Sequence, residues 1–533
     1  MGSKTIKGLV SAGVSAVLLW CAYPPVGLPF IVFVALVPLF ICSRRLKPLQ
    51  SALVWGLAGL AFWMMNLSWF VSLRNHSVGW KFVLAGWFVG PILRGLIFAI
   101  FGYIISVLWK SVALSGLKWK KWVVLFLIAP FLWTGFEWLR SFVSVIQSTY
   151  LGTAICQMPF LSAPARWGGE IMLGSLAIMV NGALALTIEN LASNRVNEGS
   201  NKNIFNAFIE LIVVSSVICL VFIVAYFTVP NEATKLKKFA LVQRNAPLPR
   251  IMDKLIAEGF DSEGYYKDLL KDYDLKGTDF LVLGESSLYE FGQDVRGDIA
   301  WKITETLSKI ADGAAVIASG KSDTPSPRGR YIQSALALYE FPRDGRAKDP
   351  LVYIKRNLVP FGEYNPLAKW FPSLRTASYY VESPGKHLGM FRSKNIKLSP
   401  LICSDCFVSG YARDAATSGA QVLVLISNNL WYAPSAEPMQ HFWQAVARSV
   451  ETGLPLVTAG NAGITGVVNL DRTVDYLKDK NGNALQCAPG VLIKNVELPV
   501  ASTKTLYVRL GDVPLVGLFI LSILSSIIIK IWE

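Results

Sequence analysis

Charged side chains are scarce in this chain. They make up 16% of its 533 residues, whereas globular soluble domains average about 25%. Hydrophobic residues account for 53%, and the mean hydropathy is +0.43. This composition argues against an ordinary soluble protein and is typical of a membrane protein. The apolar residues fill roughly the first 230 and the last 20 positions, while the middle of the chain resembles a soluble domain.

Histidine is scarcer still, with His76, His387 and His441 as its three copies. A Ser-His-Asp hydrolase would have to use one of the last two, and the G-x-S-x-G elbow of such enzymes is absent. We interpret His441, which lies on an amphipathic segment, as a packing or surface residue. Neither H-E-x-x-H nor clustered carboxylate spacing occurs, so we expect no metal and no cofactor.

Long apolar runs are abundant, and a run of about 20 residues can cross a bilayer. The sequence predicts eight spans, at residues 7–23, 28–43, 52–72, 83–109, 122–139, 170–190, 206–228 and 512–530. Twelve Lys and Arg residues fall in predicted loops on the side of the N-terminus, against four on the other side. Because loops rich in Lys and Arg stay in the cytoplasm, this bias places the N-terminus inside.

Three regions follow from these spans: a seven-span transmembrane domain at 1–231, a domain at 232–508, and a final transmembrane helix at 509–533. We expect a membrane protein whose 232–508 domain lies outside the cytoplasm. The net charge of +15 partly reflects this topology. The sequence contains no dense basic run with interleaved aromatic residues, so it does not predict nucleic-acid binding.

The 232–508 domain alternates short β-rich runs with amphipathic helical runs, which predicts an α/β class. Several of the β-rich runs are apolar throughout, as in strands that are buried on both faces. Pro400 interrupts one of them, and proline removes a backbone donor. We therefore expect an irregular or late-starting strand there.

Cys403 and Cys406 form a Cys-x-x-Cys motif in CSDC, and this motif allows three interpretations. A zinc site would need two further ligands, and the remaining candidates lie far apart in the sequence. A thioredoxin-like redox pair fits better, since the motif follows a predicted strand, but such domains are much smaller. The third reading is one nucleophile with a bystander, and it needs partners elsewhere in the chain.

Such partners follow two other predicted strands. Glu285 comes after FLVLG and Lys355 ends LVYIK, while Cys403 ends PLIC. Sites in open α/β sheets form where strands end. A cysteine thiolate can attack an acyl carbon, a carboxylate can take the thiol proton, and an ammonium can stabilise the oxyanion. Taken singly, such a carboxylate is more often a helix cap and such a lysine is more often solvated.

The motifs around these three residues carry a family resemblance. FLVLGESS, KRNLVPFGEY and LICSD resemble the three catalytic motifs of the nitrilase superfamily, in that order, and SNNLWY resembles a segment that follows them. Together with the predicted spans, YPPVGLPFIVFVALVPLF and EWLRS, the whole chain resembles the bacterial apolipoprotein N-acyltransferase family. The resemblance implies a membrane α-helical bundle that carries a nitrilase-like αββα sandwich.

The resemblance also implies roles for individual residues. Glu285 is the implied general base, Lys355 the oxyanion stabiliser and Cys403 the nucleophile, with Cys406 as a bystander. Supporting or substrate-binding positions are Glu363, Asp405, Trp431 and Tyr432. Ser404 replaces the aromatic residue that the family has after its cysteine, so a substrate contact does not transfer.

The implied reaction is ping-pong acyl transfer by way of a thioester. A phospholipid donates the acyl chain, and the α-amine of an S-diacylglyceryl cysteine on an apolipoprotein accepts it. The aromatic loop at residues 366–380 is predicted either to dip toward lipid or cover the site, or to be a packed surface loop. Three alternatives remain: a membrane-tethered carbon-nitrogen hydrolase with the same triad, a transporter with a binding domain, and a thiol oxidoreductase that uses CSDC.

Overall fold

The structure is a computed structural model of the chain. It describes residues 3–76, 80–115, 118–143, 149–194, 201–227, 234–247, 251–252, 254–255, 258–288, 294–326, 329–341, 349–365, 383–500 and 504–531. The chain divides into two compact units. The helical unit contains Met1–Ser144, Thr149–Val229 and Leu510–Glu533, and the α/β unit contains Val145–Ser148 and Pro230–Arg509.

The helical unit is built from apolar helices of unequal length. Within the described residues, its longer helices are Ser3–Cys21, Pro48–Asn66, Trp80–Ser115, Ala129–Val143, Ala165–Asn194, Asn201–Phe227 and Val513–Ile531. In the part of the chain that the structure describes, five helical segments are long and apolar enough to cross a membrane: Pro48–Asn66, Val83–Ser115, Trp119–Phe142, Ala165–Ala192 and Val513–Ile531. Shorter apolar helices at Thr5–Cys21 and Ile212–Ala225 fall where the first and seventh spans were predicted.

The second predicted span, at residues 28–43, is not one continuous helix. The 3₁₀ helix Pro29–Phe33 is followed by the helix Val37–Arg45, whose length of about 14 Å is well short of a hydrocarbon core of about 30 Å. The break removes helical partners from backbone groups. Asn181 replaces one of them, because its Oδ1 accepts a hydrogen bond from the Leu36 N–H at 2.7 Å. The predicted count of eight spans is therefore not confirmed.

The α/β unit contains two six-stranded sheets, in the orders β12-β1-β2-β3-β4-β5 and β11-β10-β9-β8-β7-β6. The strands are β1 Thr234–Gln243, β2 Phe280–Leu283, β3 Ala315–Ser326, β4 Gly329–Tyr339, β5 Leu351–Ile354, β6 Phe391–Ser393, β7 Ile396–Ile402, β8 Val422–Ser427, β9 Leu456–Gly460, β10 Gly466–Val468, β11 Val474–Tyr476 and β12 Gly490–Pro499. Strands β1, β2 and β3 are parallel in the first sheet, and β7, β8 and β9 are parallel in the second.

The two sheets face each other across one apolar core. Leu241 and Val282 of the first sheet share this core with Leu398 and Val424 of the second. A second cluster packs the other face of the first sheet against the helices Ser262–Leu270 and Asp298–Ile310. The helix Glu437–Thr452 covers the second sheet, where Phe442 meets Tyr476. The predicted αββα layering is confirmed.

The irregular strand predicted around Pro400 is wrong. Strand β7 runs without interruption from Ile396 to Ile402, and Pro400 aligns with Val424 of β8. Proline is tolerated because the pairing of β7 with β6 ends at Leu398, which leaves Pro400 with a sheet partner on one side.

Candidate active site

Three strand ends bring Glu285, Lys355 and Cys403 together. Glu285 lies two residues after β2, Lys355 follows β5 directly, and Cys403 follows β7 directly. The sheets approach closely here, since the Glu285 N–H donates to the carbonyl of Ser427 at the end of β8, at 3.3 Å. Gly284 permits this approach, because an added methyl group would lie 2.2 Å from the backbone nitrogen of Asn461.

Lys355 is fully buried and faces two carboxylates. Its Nζ lies 3.9 Å from Oε1 of Glu285 and donates a hydrogen bond to Glu363. Burial lowers the pKa of Lys355, but Glu363, Cys403 and Glu285 outweigh this effect and raise it well above its usual range. The second oxygen of Glu363 accepts from the Val359 N–H at 2.8 Å, which fixes the carboxylate. The site therefore holds a permanent, oriented cation.

Cys403 begins the 3₁₀ turn Cys403–Phe407 and is partly exposed. Its φ of 46° lies in the left-handed region, which non-glycine residues rarely adopt. Burial raises the pKa of the Cys403 thiol, Lys355 opposes this increase, and Glu285 and Glu363 add to it. The resting thiol is therefore protonated and needs a base before it can act as a nucleophile.

Asp405 connects the Cys403–Phe407 turn to the chain around Lys355. Its carboxylate accepts from the Asn357 N–H at 2.7 Å, the Ile402 N–H at 3.0 Å and the Tyr353 hydroxyl at 2.8 Å. The side chain is completely buried. Of the two roles predicted for it, the geometry favours support over substrate binding.

The residue that replaces the expected aromatic is also part of this framework. Ser404 is buried, and its Oγ donates to the carbonyl of Asn357. The Asn357 amide returns a hydrogen bond to the carbonyl of Ser404 at 2.7 Å. At this position the chain therefore connects two loops of the site.

The aromatic candidates Trp431 and Tyr432 lie on the segment after β8. Trp431 ends the 3₁₀ turn Asn429–Trp431 and is 36% exposed. Burial raises the pKa of Tyr432 well above its usual range, and the negative charges of Glu437 and Cys403 add to the effect. Tyr432 thus belongs to the surroundings of the thiol. The predicted aromatic loop at 366–380 lies outside the described residues.

Sequence reasoning missed two residues near Cys403. His441 is buried, with its Nε2 3.1 Å from the carbonyl oxygen of Cys403, so the packing interpretation holds and the surface one is wrong. Glu437 accepts from Nδ2 of Asn429 at 2.9 Å. Burial lowers the pKa of His441 to about 4 and raises that of Glu437 to about 8. Their spacing of four residues on one helix was visible, but the position of that helix beside Cys403 was not.

Two models of known protein families match this chain, one mainly within the helical unit and one within the α/β unit. Residues 15–183 match the family model described as apolipoprotein N-acyltransferase N-terminal domain, and residues 276–485 match carbon-nitrogen hydrolase. The second range contains Glu285, Lys355 and Cys403.

Relatives extend over most of the length. The chain is 25% identical over 514 residues to apolipoprotein N-acyltransferase of Geobacter metallireducens, covering 95% of this chain and 92% of the relative. The Rickettsia typhi protein of that name is 25% identical over 419 residues, with 75% and 77% covered. The Shewanella oneidensis protein is 25% identical over 507 residues, with 89% and 86% covered. Family models and relatives named apolipoprotein N-acyltransferase thus match this chain over most of its length.

Proposed function

We propose that this membrane enzyme transfers an acyl chain from a phospholipid to the N-terminal α-amine of S-diacylglyceryl-cysteine apolipoproteins, through a thioester on Cys403. One observation carries the proposal: a buried, charged Lys355 lies between Glu285 and Glu363 beside a thiol that needs a base. Relatives named apolipoprotein N-acyltransferase support the class of acceptor.

The first half-reaction loads the enzyme. Glu285 takes the proton of the Cys403 thiol, and the sulfur forms a bond to the ester carbonyl carbon of the phospholipid. Negative charge develops on the carbonyl oxygen, where the Lys355 ammonium stabilises it. The bond from carbon to the glycerol oxygen breaks, Glu285 returns the proton to that oxygen, and lysophospholipid leaves.

The second half-reaction transfers the acyl group from Cys403 to the acceptor. The α-amine of the diacylglyceryl cysteine attacks the thioester carbon, and its proton passes to Glu285 as the carbon–sulfur bond breaks. The proton then returns to the Cys403 sulfur, so the free enzyme is regenerated. Lys355 stays protonated throughout, because the carboxylates around it raise its pKa.

The remaining candidates support these steps. Glu363 orients the Lys355 ammonium, and Asp405 holds the Cys403 turn against the loop after β5. Trp431 and Tyr432 are proposed to line the acyl pocket, since both follow β8 at the edge that contains the thiol.

Labelling of purified full-length protein tests the proposal. After incubation with acyl-labelled phospholipid and no acceptor, we expect a hydroxylamine-labile acyl group on the Cys403 peptide by mass spectrometry. A synthetic diacylated lipopeptide should then remove the label and gain an amide-linked chain. Cys403→Ser should carry no label and make no product. Wild-type protein that never becomes labelled would overturn the mechanism.

The carbon-nitrogen hydrolase match over residues 276–485 favours one alternative, a membrane-tethered hydrolase that uses the same triad with water as the acceptor. The same assay separates the two. A hydrolase would release free fatty acid or cleave an added amide and leave the lipopeptide unchanged.

The location of the α/β unit on the periplasmic side of the inner membrane is part of the proposal and rests on the Lys and Arg bias of the loops. Reporter fusions that end near residue 240 should report an extracytoplasmic position, and fusions near residue 118 a cytoplasmic one. A cytoplasmic report near residue 240 would contradict the proposal, because the lipoprotein acceptors lie outside.

A further inference from the structure

Polar side chains from two neighbouring elements converge beneath the Cys403 turn. Nδ2 of Asn429, which begins the turn after β8, lies 2.9 Å from Oε2 of Glu437 and 3.4 Å from Nδ1 of His441. His441 Nε2 in turn lies 3.1 Å from the carbonyl oxygen of Cys403. Asn429, Glu437 and His441 are all buried, so these contacts are shielded from water.

The hydrogen bonds that link Glu437, Asn429, His441 and Cys403 fit one protonation state of the histidine. A backbone carbonyl can only accept, so Nε2 of His441 must carry a hydrogen and donate to Cys403. Nδ1 is then an acceptor and receives one hydrogen of the Asn429 amide, whose other hydrogen goes to Glu437. A protonated imidazole would instead set an N–H against the NH₂ of Asn429. The arrangement therefore requires a neutral histidine in the Nε2–H form.

We propose that His441, fixed in this tautomer by Asn429, is a positioning residue that holds the Cys403 backbone in the conformation that aims its thiol. The proposal rests on Cys403 being the nucleophile of the proposed acyl transfer. A non-glycine residue with φ of 46° costs about 1 kcal/mol or more and persists where its surroundings constrain it. The His441 hydrogen bond constrains the carbonyl of that residue directly.

The groups that face the imidazole explain why it stays neutral. Glu437 on its own helix is linked through Asn429, the ring of Phe407 lies 5.2 Å away from the second side, and the Lys355 cation acts from a third. Burial and Lys355 both lower the pKa of His441. Asn429→Asp would place a carboxylate oxygen against Nδ1 and favour the charged ring. It should therefore raise the pKa of His441 toward neutral pH.

The first test measures the rate at which Cys403 becomes acylated by labelled phospholipid. His441→Leu removes the donor, so we expect a loss of about 10- to 100-fold in this rate, with a smaller change in the apparent KM for phospholipid. His441→Gln keeps an N–H donor and should recover part of the rate. Ser449→Ala is the matched control, since Ser449 is a buried residue of the same helix that also donates to a backbone carbonyl. Thermal unfolding checks that each variant is folded.

The second test does not depend on acyl transfer. The chain has three histidines, so ¹⁵N-histidine NMR of wild type and His441→Gln assigns the His441 signals. We expect the Nε2–H tautomer with no titration between pH 5.5 and 8 in wild type, and titration within that range in Asn429→Asp. A wild-type Nδ1–H tautomer or titration near pH 6.5 would overturn the proposal, as would a wild-type acylation rate in His441→Leu. Absent acylation with the expected NMR result would instead reject the proposed function.

Discussion

The two units bury charged side chains in different surroundings. In the helical unit, Arg140 lies 3.9 Å from Glu137 and donates to the carbonyl of Thr149 at 2.8 Å. Its guanidinium also lies 5.1 Å from the ring centroid of Trp63 and 4.6 Å from that of Tyr150. The partners of this cation are thus a local carboxylate, a backbone group and aromatic faces. Such contacts hold segments of the helical unit together.

In the α/β unit, the cation of Lys355 faces other titratable groups. Its neighbours are Glu285, Glu363 and the thiol of Cys403, and Cys403 is partly exposed. These neighbours can exchange protons or form a covalent bond, whereas a backbone carbonyl or an indole ring cannot. From this difference we expect the Arg140–Glu137 cluster to stabilise structure and the groups around Lys355 to support chemistry.

The largest expected effect tests the chemical side of this comparison. Glu285→Gln keeps the shape of the side chain but cannot take the thiol proton, and Lys355→Met removes the oxyanion partner. We expect each to lower the rate of Cys403 acylation by more than about 10³-fold, with the melting temperature of Glu285→Gln close to that of wild type. Asp279→Asn is the control, because Asp279 also pairs with a lysine, Lys237, at 2.8 Å. Activity retained in both site variants would contradict the assigned roles.

A second prediction tests the structural side. Arg140→Gln leaves Glu137 buried without its cation, so we expect a loss of about 3 kcal/mol in the free energy of unfolding. Glu137→Gln with Arg140→Gln removes both charges and should recover part of the loss. Thermal unfolding measures stability, and labelling measures Cys403 acylation in the folded fraction, which we expect to persist. Abolished acylation in a fully folded Arg140→Gln protein would remove the distinction between the two clusters.

Glu437 provides a pH-dependent effect on stability. Its pKa is raised to about 8 by burial, above its unfolded value, so the folded state holds the proton more tightly. The stabilisation is therefore complete at low pH and is lost as pH rises toward 8, at about 1.4 kcal/mol per pH unit. Melting temperatures from pH 5 to 9 should fall more steeply in wild type than in Glu437→Gln. Parallel curves would show that Glu437 ionises normally.

Much of the fold was predictable from local pattern. Apolar runs such as those of β2 and β8 indicated burial on both faces, and both strands are buried throughout. The second span was harder, because its hydropathy suits a crossing helix while Pro29 and Pro38 divide it into two short helices. Whether a polar partner such as Asn181 satisfies such a break depends on packing, which hydropathy does not encode.

The candidate site likewise contains residues that the sequence predicts and residues whose roles it does not predict. Glu285, Lys355 and Cys403 each follow a strand, and strand ends can be read from sequence. The role of Asp405 depends on four donors that come from two different segments. The contact of His441 with Cys403 likewise depends on where one helix packs. Contacts between residues that lie far apart in the sequence produce no recognisable residue spacing.

The smallest effect on acylation is expected from substitution of Cys406. This substitution decides whether CSDC is a redox pair or contains a single nucleophile. Cys406 is buried, whereas Cys403 is partly exposed, and both are free thiols. A redox pair needs both sulfurs, because one attacks and the other resolves the mixed disulfide. An acyltransferase needs one. Cys406→Ser should therefore keep most of the acylation rate, apart from a modest stability cost for a buried hydroxyl, and should be indifferent to added reductant. Loss of activity in Cys406→Ser equal to that in Cys403→Ser, with both variants folded, would favour the redox pair.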